Sequence, residues 1–443
     1  GLWLIERRAA GGIDAQTIER LIHDPSRLVR VHLLKALAER VDWSGGTLDI
    51  AALARASLDD ADAFVRRAAA DALGRHPQFE SVAPLLKLWR TTPGEDSHLI
   101  HVVRMALRDH LAQPGIYASL SATALDTDDR SRLADVSLGV HTSDSAAYLL
   151  GFIHSRPIES GTPEYLHEIA RYLPAERTTE LYAWLEKTPC DDVSVAREMA
   201  LALHRAGQAR GSADPERLSR YALDAARKLL SSEDMGLVRS GVDVAREMRL
   251  APLYSELAAL VAAEGRPVEL RSAAIDACLA NDAPGSIALL AQVLGESEQP
   301  PALRQKAAAA LANLQETAAR EALVGQLRTA HDRLAVEIAA GLASRPEGAE
   351  ALLAEVQAGR AAPRLLQERV VEERLRNSKP ADLLARLAEL TANLPPADER
   401  INQLISGRRE GFLKSSSDAA AGRQVFQKTC AACHRIGGEG GKI

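Results

Sequence analysis

Cysteine is scarce in this chain. Its four cysteines, Cys190, Cys278, Cys430 and Cys433, are too few and too scattered for the disulfide framework of a small secreted domain. Long apolar runs are missing as well. The stretch 257–263, closed by Glu256 and Glu264, falls far short of the roughly 18 residues needed to span a bilayer. Positive charge is not in excess: 54 Lys and Arg stand against 60 Asp and Glu, a net charge of −6 with no basic arm. That balance argues against a dominant electrostatic footprint for nucleic acid. No catalytic triad or carboxylate pair is evident either. An initiating Met is also lacking. The chain opens on Gly1, and Leu2–Arg8 already reads as the middle of an amphipathic helix, so an internal piece of a longer protein is expected. Aromatic residues make up only 4%, yet 46% of the chain is hydrophobic and 26% charged, which excludes disorder over most of its length. At about 100 to 200 residues per domain, two to four domains are expected.

What is present is a repeat. Leu28-Val29-Arg30 leads into the helical pattern Leu33, Leu34, Leu37, and about 36 residues later Phe64-Val65-Arg66 leads into Ala69, Ala72, Leu73. The unit recurs loosely over 100–107. It returns clearly at Leu237-Val238-Arg239, Leu270-Arg271, Leu303-Arg304 and Arg333-Leu334-Ala335, with spacings of roughly 31 to 33 residues. Each unit reads as two helices and a turn whose apolar face is buried only by stacking on its neighbours. Asp24-Pro25 supplies the stop and cap before a helix, and small Ala side chains allow close approach. The pattern resembles HEAT and armadillo-like repeats, in which a turn Asp and a Val-Arg pair recur. It covers 1–115 and 230–345 well. Between them the spacing predicts helices at 165–172, 179–187, 193–205 and 215–230, but the period is irregular. From Ala361 a solvent-rich charged helix is expected around a sparse Leu and Val stripe, then a break at Leu394-Pro395-Pro396, a helix over 398–412 and a linker ending in the N-cap Asp418. The expected domains are therefore HEAT-like repeats over 1–115, irregular helical repeats over 116–230, and HEAT-like repeats with the charged helix over 231–394. A linker with a short helix follows over 395–417, and then the module 418–443.

That last module carries the chemistry. Cys430-Ala431-Ala432-Cys433-His434 has the spacing of a c-type haem attachment motif. Two thiols three positions apart on a helical turn can each form a thioether to a vinyl group, and the adjacent His434 then lies under the iron as proximal ligand. Gly422, Phe426 and Cys430, spaced by four, are expected along one helix face. The glycines after His434 allow the chain to turn sharply. Four other readings compete. Zinc would need a fourth ligand, and the remaining cysteines lie roughly 150 residues away or more. A thioredoxin-like pair needs a βαβ neighbourhood, and no strand pattern is near. A phosphate loop over 437–442 would need Gly at Ile436 and Ser or Thr at Ile443. The fourth is a fortuitous pair of buried helical cysteines. Elsewhere, His98 and His101 near Glu95 and Asp96 read as a solvated helix start. Cys190, Cys278, Met105, Met199, Met235 and Met248 read as packing residues.

Residues 422–441 look like the opening helix of a class I cytochrome c. In that family a Gly-Pro pair and a distal Met follow, and the chain stops at Ile443 before either. Repeats followed by this segment resemble the bacterial PVC-type haem-binding proteins, specifically at 422–441 and generically over the repeats. The resemblance implies an all-α fold, a HEAT/armadillo-like α-solenoid followed by the opening helix of a cytochrome c domain. It also implies one covalent haem c held by Cys430 and Cys433 with His434 on the iron, and electron transfer rather than catalysis within this chain. A redox partner protein or an upstream dehydrogenase-like domain, no nucleic acid, no membrane span and a periplasmic or exported location complete that expectation. The competing expectation is a protein–protein interaction scaffold in which the haem motif is inert.

Overall fold

The computed structural model describes residues 2–8, 12–44, 47–210, 214–395, 397–415, 418–431 and 434–441. Every regular element among them is helical, with no strand, and the one β-bridge joins Ile436 to Glu439. The all-α repeat fold expected from the sequence is what the chain adopts. It divides into two compact units, Gly1–Glu256 and Leu257–Ile443.

In the first unit the helices Arg27–Ala38, Ala63–Arg75 and Ser97–Leu111 pack one against the next. Their inward positions, Leu33, Leu37, Ala69, Leu73, Val103 and Leu107 among them, are fully enclosed. Alternating Leu with Ala lets neighbouring helices approach closely; a Cβ on Gly74 would lie 3.0 Å from the Ala106 Cα. Side-chain caps start the helices. Asp14, Asp49, Asp62, Asp96, Asp126, Asp214 and Asp234 each accept a backbone N–H from the first turn, which satisfies a donor the helix cannot.

The recurring Arg has a physical role. Arg30 donates to the turn carbonyls of Asp24 (2.7 Å) and Pro25 (3.3 Å), and pairs bidentately with Asp60 of the following unit. Arg66 repeats the first contact on Asp60 and Ala61. At Arg30 and Arg66 the motif therefore ties the turn to its own helix and, at Arg30, also to the next repeat.

Much of the core of this unit lies in a cluster running from Ile13 to Val136 and another from Ala134 to Leu218. They part at the helix Thr127–Ser137, whose Leu133 and Ala134 belong to different clusters. The second cluster gathers Leu149, Leu166, Ile169, Leu181, Met199 and Leu203 from Ser143–His154, Thr162–Tyr172, Thr178–Lys187 and Val193–Arg210. Pro215–Leu230 closes it with Leu218.

The second unit stacks Val268–Asn281, Ile287–Gly295, Pro301–Asn313, Thr317–Leu327, Asp332–Ala343 and Pro346–Gln357. Here the motif Arg works differently. Arg271, 1% exposed, donates to the Val261 carbonyl at 2.7 Å, and Arg304 reaches back the same ten residues to the Leu294 carbonyl at 3.0 Å. Each satisfies a carbonyl left open at the end of the preceding helix. Arg333 instead pairs along its own helix with Glu337, as Arg239 of the first unit does with Asp243.

The charged segment keeps its sparse Leu and Val stripe but is divided in two. Its residues form a short turn, Pro363–Gln367, and then Arg369–Ser378, in which Val371 and Leu375 are fully buried. Two apolar residues one turn apart seat the helix while Arg369 and Arg376 stay in water and Arg374 donates to the Ala340 carbonyl at 2.9 Å. Leu383–Thr391 follows, then Ala397–Lys414, whose residues 401–414 are all exposed. No described helix is long and apolar enough to cross a membrane.

Candidate functional site

Asp418 opens the last helix by accepting from the backbone N–H groups of Ala420 (2.8 Å) and Ala421 (3.2 Å). Ala419–Val425 is α-helical, but Phe426–Cys430 widens into a π turn, closed by the Ala431 N–H on the Phe426 carbonyl at 2.8 Å. The wider turn alters the expected face. Gly422 and Phe426 keep the α spacing, whereas Cys430 is rotated off their line, because a π turn holds more residues than the 3.6 of an α turn. A Cβ on Gly422 would meet nothing within 4 Å, so its glycine is not required by any helix packed there among the described residues.

The His434 N–H donates to the Cys430 carbonyl at 2.8 Å, which sets the imidazole-bearing residue one helical turn from the thiol. Cys430 is a free, half-buried thiol, and His434 is exposed. Cys433 lies outside the described residues.

The glycine run then folds back rather than leading away. Ile436 and Glu439 exchange both backbone hydrogen bonds at 3.0 Å across Gly437 (φ +58°) and Gly438 (φ +92°). Two consecutive positive φ values suit glycine, and they are what a tight primed hairpin turn demands. Gly440 (φ +105°) passes so close that a Cβ would lie 2.0 Å from the His434 carbonyl oxygen. The Gly441 N–H then reaches the Ala431 carbonyl at 2.8 Å.

A second tether acts through side chains. The Glu439 carboxylate accepts from Arg423 and, at 3.1 Å, from Gln427 Nε2, two residues one turn apart on the helix. The Arg423 guanidinium and the Gln427 amide hold the Glu439 carboxyl below its ordinary range, and Glu439 raises Arg423 in return. Sequence reasoning passed over Glu439. The signal was the i, i+4 spacing of Arg423 and Gln427, which places both side chains on one face.

The donor set suits a c-type haem. One thiol is free, one imidazole is uncovered, and the backbone at Ala431 and His434 is held without using either group. Three other sulfur groups are enclosed in the repeats. Met199 is fully buried and accepts from the Tyr221 hydroxyl at 3.7 Å. Met248 packs half-buried against the second core cluster, and burial pushes the Cys278 thiol up to about 12. Asp96 near His98 is committed as a helix cap. Among the described residues no three His, Cys, Asp or Glu side chains gather into a metal site.

Comparison with known proteins agrees with the two halves of this description. Residues 15–108 match the family model of HEAT repeats, and residues 419–443 match that of cytochrome c. No curated protein matches the chain. Among solved structures, a chain from a study of the phosphorylation switch controlling the interaction between cadherin and β-catenin is 13% identical. It aligns over 84% of this chain and 99% of its own, with a TM-score of 0.28, too loose a superposition to carry an argument. The chain thus joins helical repeats similar to HEAT repeats to a C-terminal segment similar to cytochrome c.

Proposed function

We propose that this chain is an electron-transfer protein carrying one covalent haem c on a helical-repeat scaffold. The observation that carries the reading is the Cys430, Cys433, His434 triplet within a segment similar to cytochrome c, its described thiol and imidazole both uncommitted. Haem, when bound, supplies a one-electron iron couple. Cys430 and Cys433 would anchor it. Their thiols would form thioethers by adding sulfur and hydrogen across its vinyl groups, chemistry that consumes no oxidant. His434 would lend the lone pair of its neutral imidazole to the iron. The hairpin pinned by Glu439 and Gly441 would limit the freedom of His434. Such attachment belongs outside the cytoplasm, which supports a periplasmic or exported location. A redox partner protein, or a dehydrogenase-like domain in the same polypeptide, would exchange electrons with it.

The test is production of the chain in cells with a c-type cytochrome maturation system. The expected product keeps its colour after acid-acetone extraction and gains the mass of one haem, mapped to the peptide containing Cys430 and Cys433. Cys430→Ala with Cys433→Ala should lose that mass, whereas His434→Ala should keep the chromophore with an altered spectrum. A colourless protein with both thiols free overturns the reading. It would leave the interaction scaffold, which is favoured by one observation. A cavity of about 700 Å³ beside Ser97–Leu111 is lined by His101, Arg104, Met105 and Arg108, and Met105 is exposed there.

A further inference from the structure

Among the described residues one imidazole is fully buried. His110, in the last turn of Ser97–Leu111, is 0% exposed, and its bonding assigns its tautomer. Nδ1 lies 2.7 Å from the Ala106 carbonyl oxygen, which can only accept, so Nδ1 carries the proton. Nε2 is then the bare nitrogen, sealed from solvent with no hydrogen-bond partner among the described residues. We propose that this ring makes the end of the helix an acid-sensitive switch: the closed fold holds only the neutral imidazole, and a second proton, on Nε2, opens residues 97–121 locally.

Burial is the reason. An imidazolium there would set a charged N–H where no acceptor stands and no water reaches. Burial accordingly pushes the ring below its ordinary 6.5, against the Ala106 bond and Asp109, which raise it. Neighbouring charges give little relief. Asp109 is already bonded by Arg108 at 2.7 Å. Ser97–Leu111 packs against Ala63–Arg75, Val82–Thr91, Ile116–Ser121 and Thr127–Ser137, and the charged groups they bring leave Nε2 unpartnered. Asp71 faces Arg75 at 3.6 Å, Lys87 pairs with Asp59, and Arg90 with Asp126 and Asp129. Asp135 pairs with Arg104 at 2.8 Å, and the Tyr117 hydroxyl is shared with Ser137 at 2.9 Å.

The opening stays local because Ile116–Ser121 is a helix of only 6 residues and stacked repeats are held by their neighbours alone. Ser97–Leu111 also carries His101, Arg104 and Met105 of the cavity beside it, so the same opening takes apart one wall of that cavity. The closed state binds fewer protons than the open one. Its protection is therefore complete above the open-state value of 6.5 and is lost as pH falls below it. With one proton taken up, the opening equilibrium rises up to about tenfold per pH unit.

The experiment follows hydrogen exchange of the full chain by mass spectrometry at about pH 7.5 and about pH 5, as protection factors corrected for the intrinsic rate. Protection over 97–121 is expected to fall about tenfold or more at the lower pH. Residues 268–343, which hold the single imidazole His331, should keep theirs. His110→Gln cannot take the second proton and should show equal protection over 97–121 at both pH values. Should that variant fail to fold, His110→Leu replaces it, and NMR of the unsubstituted protein with isotope-labelled histidine reads the same ring directly. Protection independent of pH in the unsubstituted protein, an equal fall in the folded variant, or a fall spread over both units would each overturn the proposal. So would an Nε2 that takes its proton while 97–121 stays protected. None of these readouts depends on haem.

Discussion

A carboxylate withdrawn from water needs cations, and Glu355 has two. Its side chain is 6% exposed and accepts paired hydrogen bonds from Arg360 (2.7 and 2.9 Å) and Arg328 (2.9 and 3.0 Å). These bonds pull its carboxyl from 4.5 down to about 2. A depressed acid stabilises the fold above its unfolded value and loses that contribution as pH falls through its folded value. Glu355→Gln is therefore expected to lower stability by about 1 to 2 kcal/mol at pH 7, a figure reduced because both arginines are half in water. In urea titrations the gap to the unsubstituted protein should close between pH 4.5 and about 2, and a gap constant with pH would refute the pairing. Gly440 offers a test of the candidate site at the same scale. Gly440→Ala combines a positive φ with a clash at the His434 carbonyl, so the Gly441 amide should exchange its hydrogen about tenfold faster by NMR. An unchanged rate would mean that the hairpin is not held against the helix. The roles proposed for Cys430 and His434 come from the sequence, because attachment chemistry prescribes residue types at fixed spacing. The tether was not, since a glutamate sixteen residues from its arginine acquires meaning only when the chain folds back.

Helices announced themselves through their caps and their Leu and Ala periodicity, and the ends of Pro215–Leu230 coincide with the pattern read from sequence. Asp62 shows why. It accepts from the Phe64 N–H at 2.9 Å at the start of Ala63–Arg75 and also meets Arg27 at 3.4 Å. Asp62→Ala should cost about 1 kcal/mol, measured as a lower urea midpoint, and Asp62→Asn should recover most of it; equal losses would show that charge rather than capping matters. Other elements hid. Ile116–Ser121 and Thr127–Ser137 are short or polar on average, so their few inward residues gave no clear period. The π turn at Phe426–Cys430 was equally silent, because its sequence satisfies an α pattern and one shifted hydrogen bond makes the difference.

Across the whole molecule, stability in stacked repeats is close to a sum of local terms and contacts with adjacent repeats. Leu107 is fully enclosed in the first core cluster, so Leu107→Ala should cost about 3 kcal/mol there. Hydrogen exchange followed by mass spectrometry should show lost protection across the helices at 63–111 and unchanged protection across 268–343. A uniform loss over both units would contradict the local picture. Sequence alone determined that the chain is helical and that it repeats, and it supplied the residues to which the proposal gives a cofactor, because period, capping and ligand spacing are properties of neighbours along the chain. Tertiary structure decided where the two units divide, which motif arginines close a neighbouring helix and which merely pair along their own, and how the segment after His434 returns to its helix. Those outcomes depend on which groups meet after folding and on what each can no longer obtain from water.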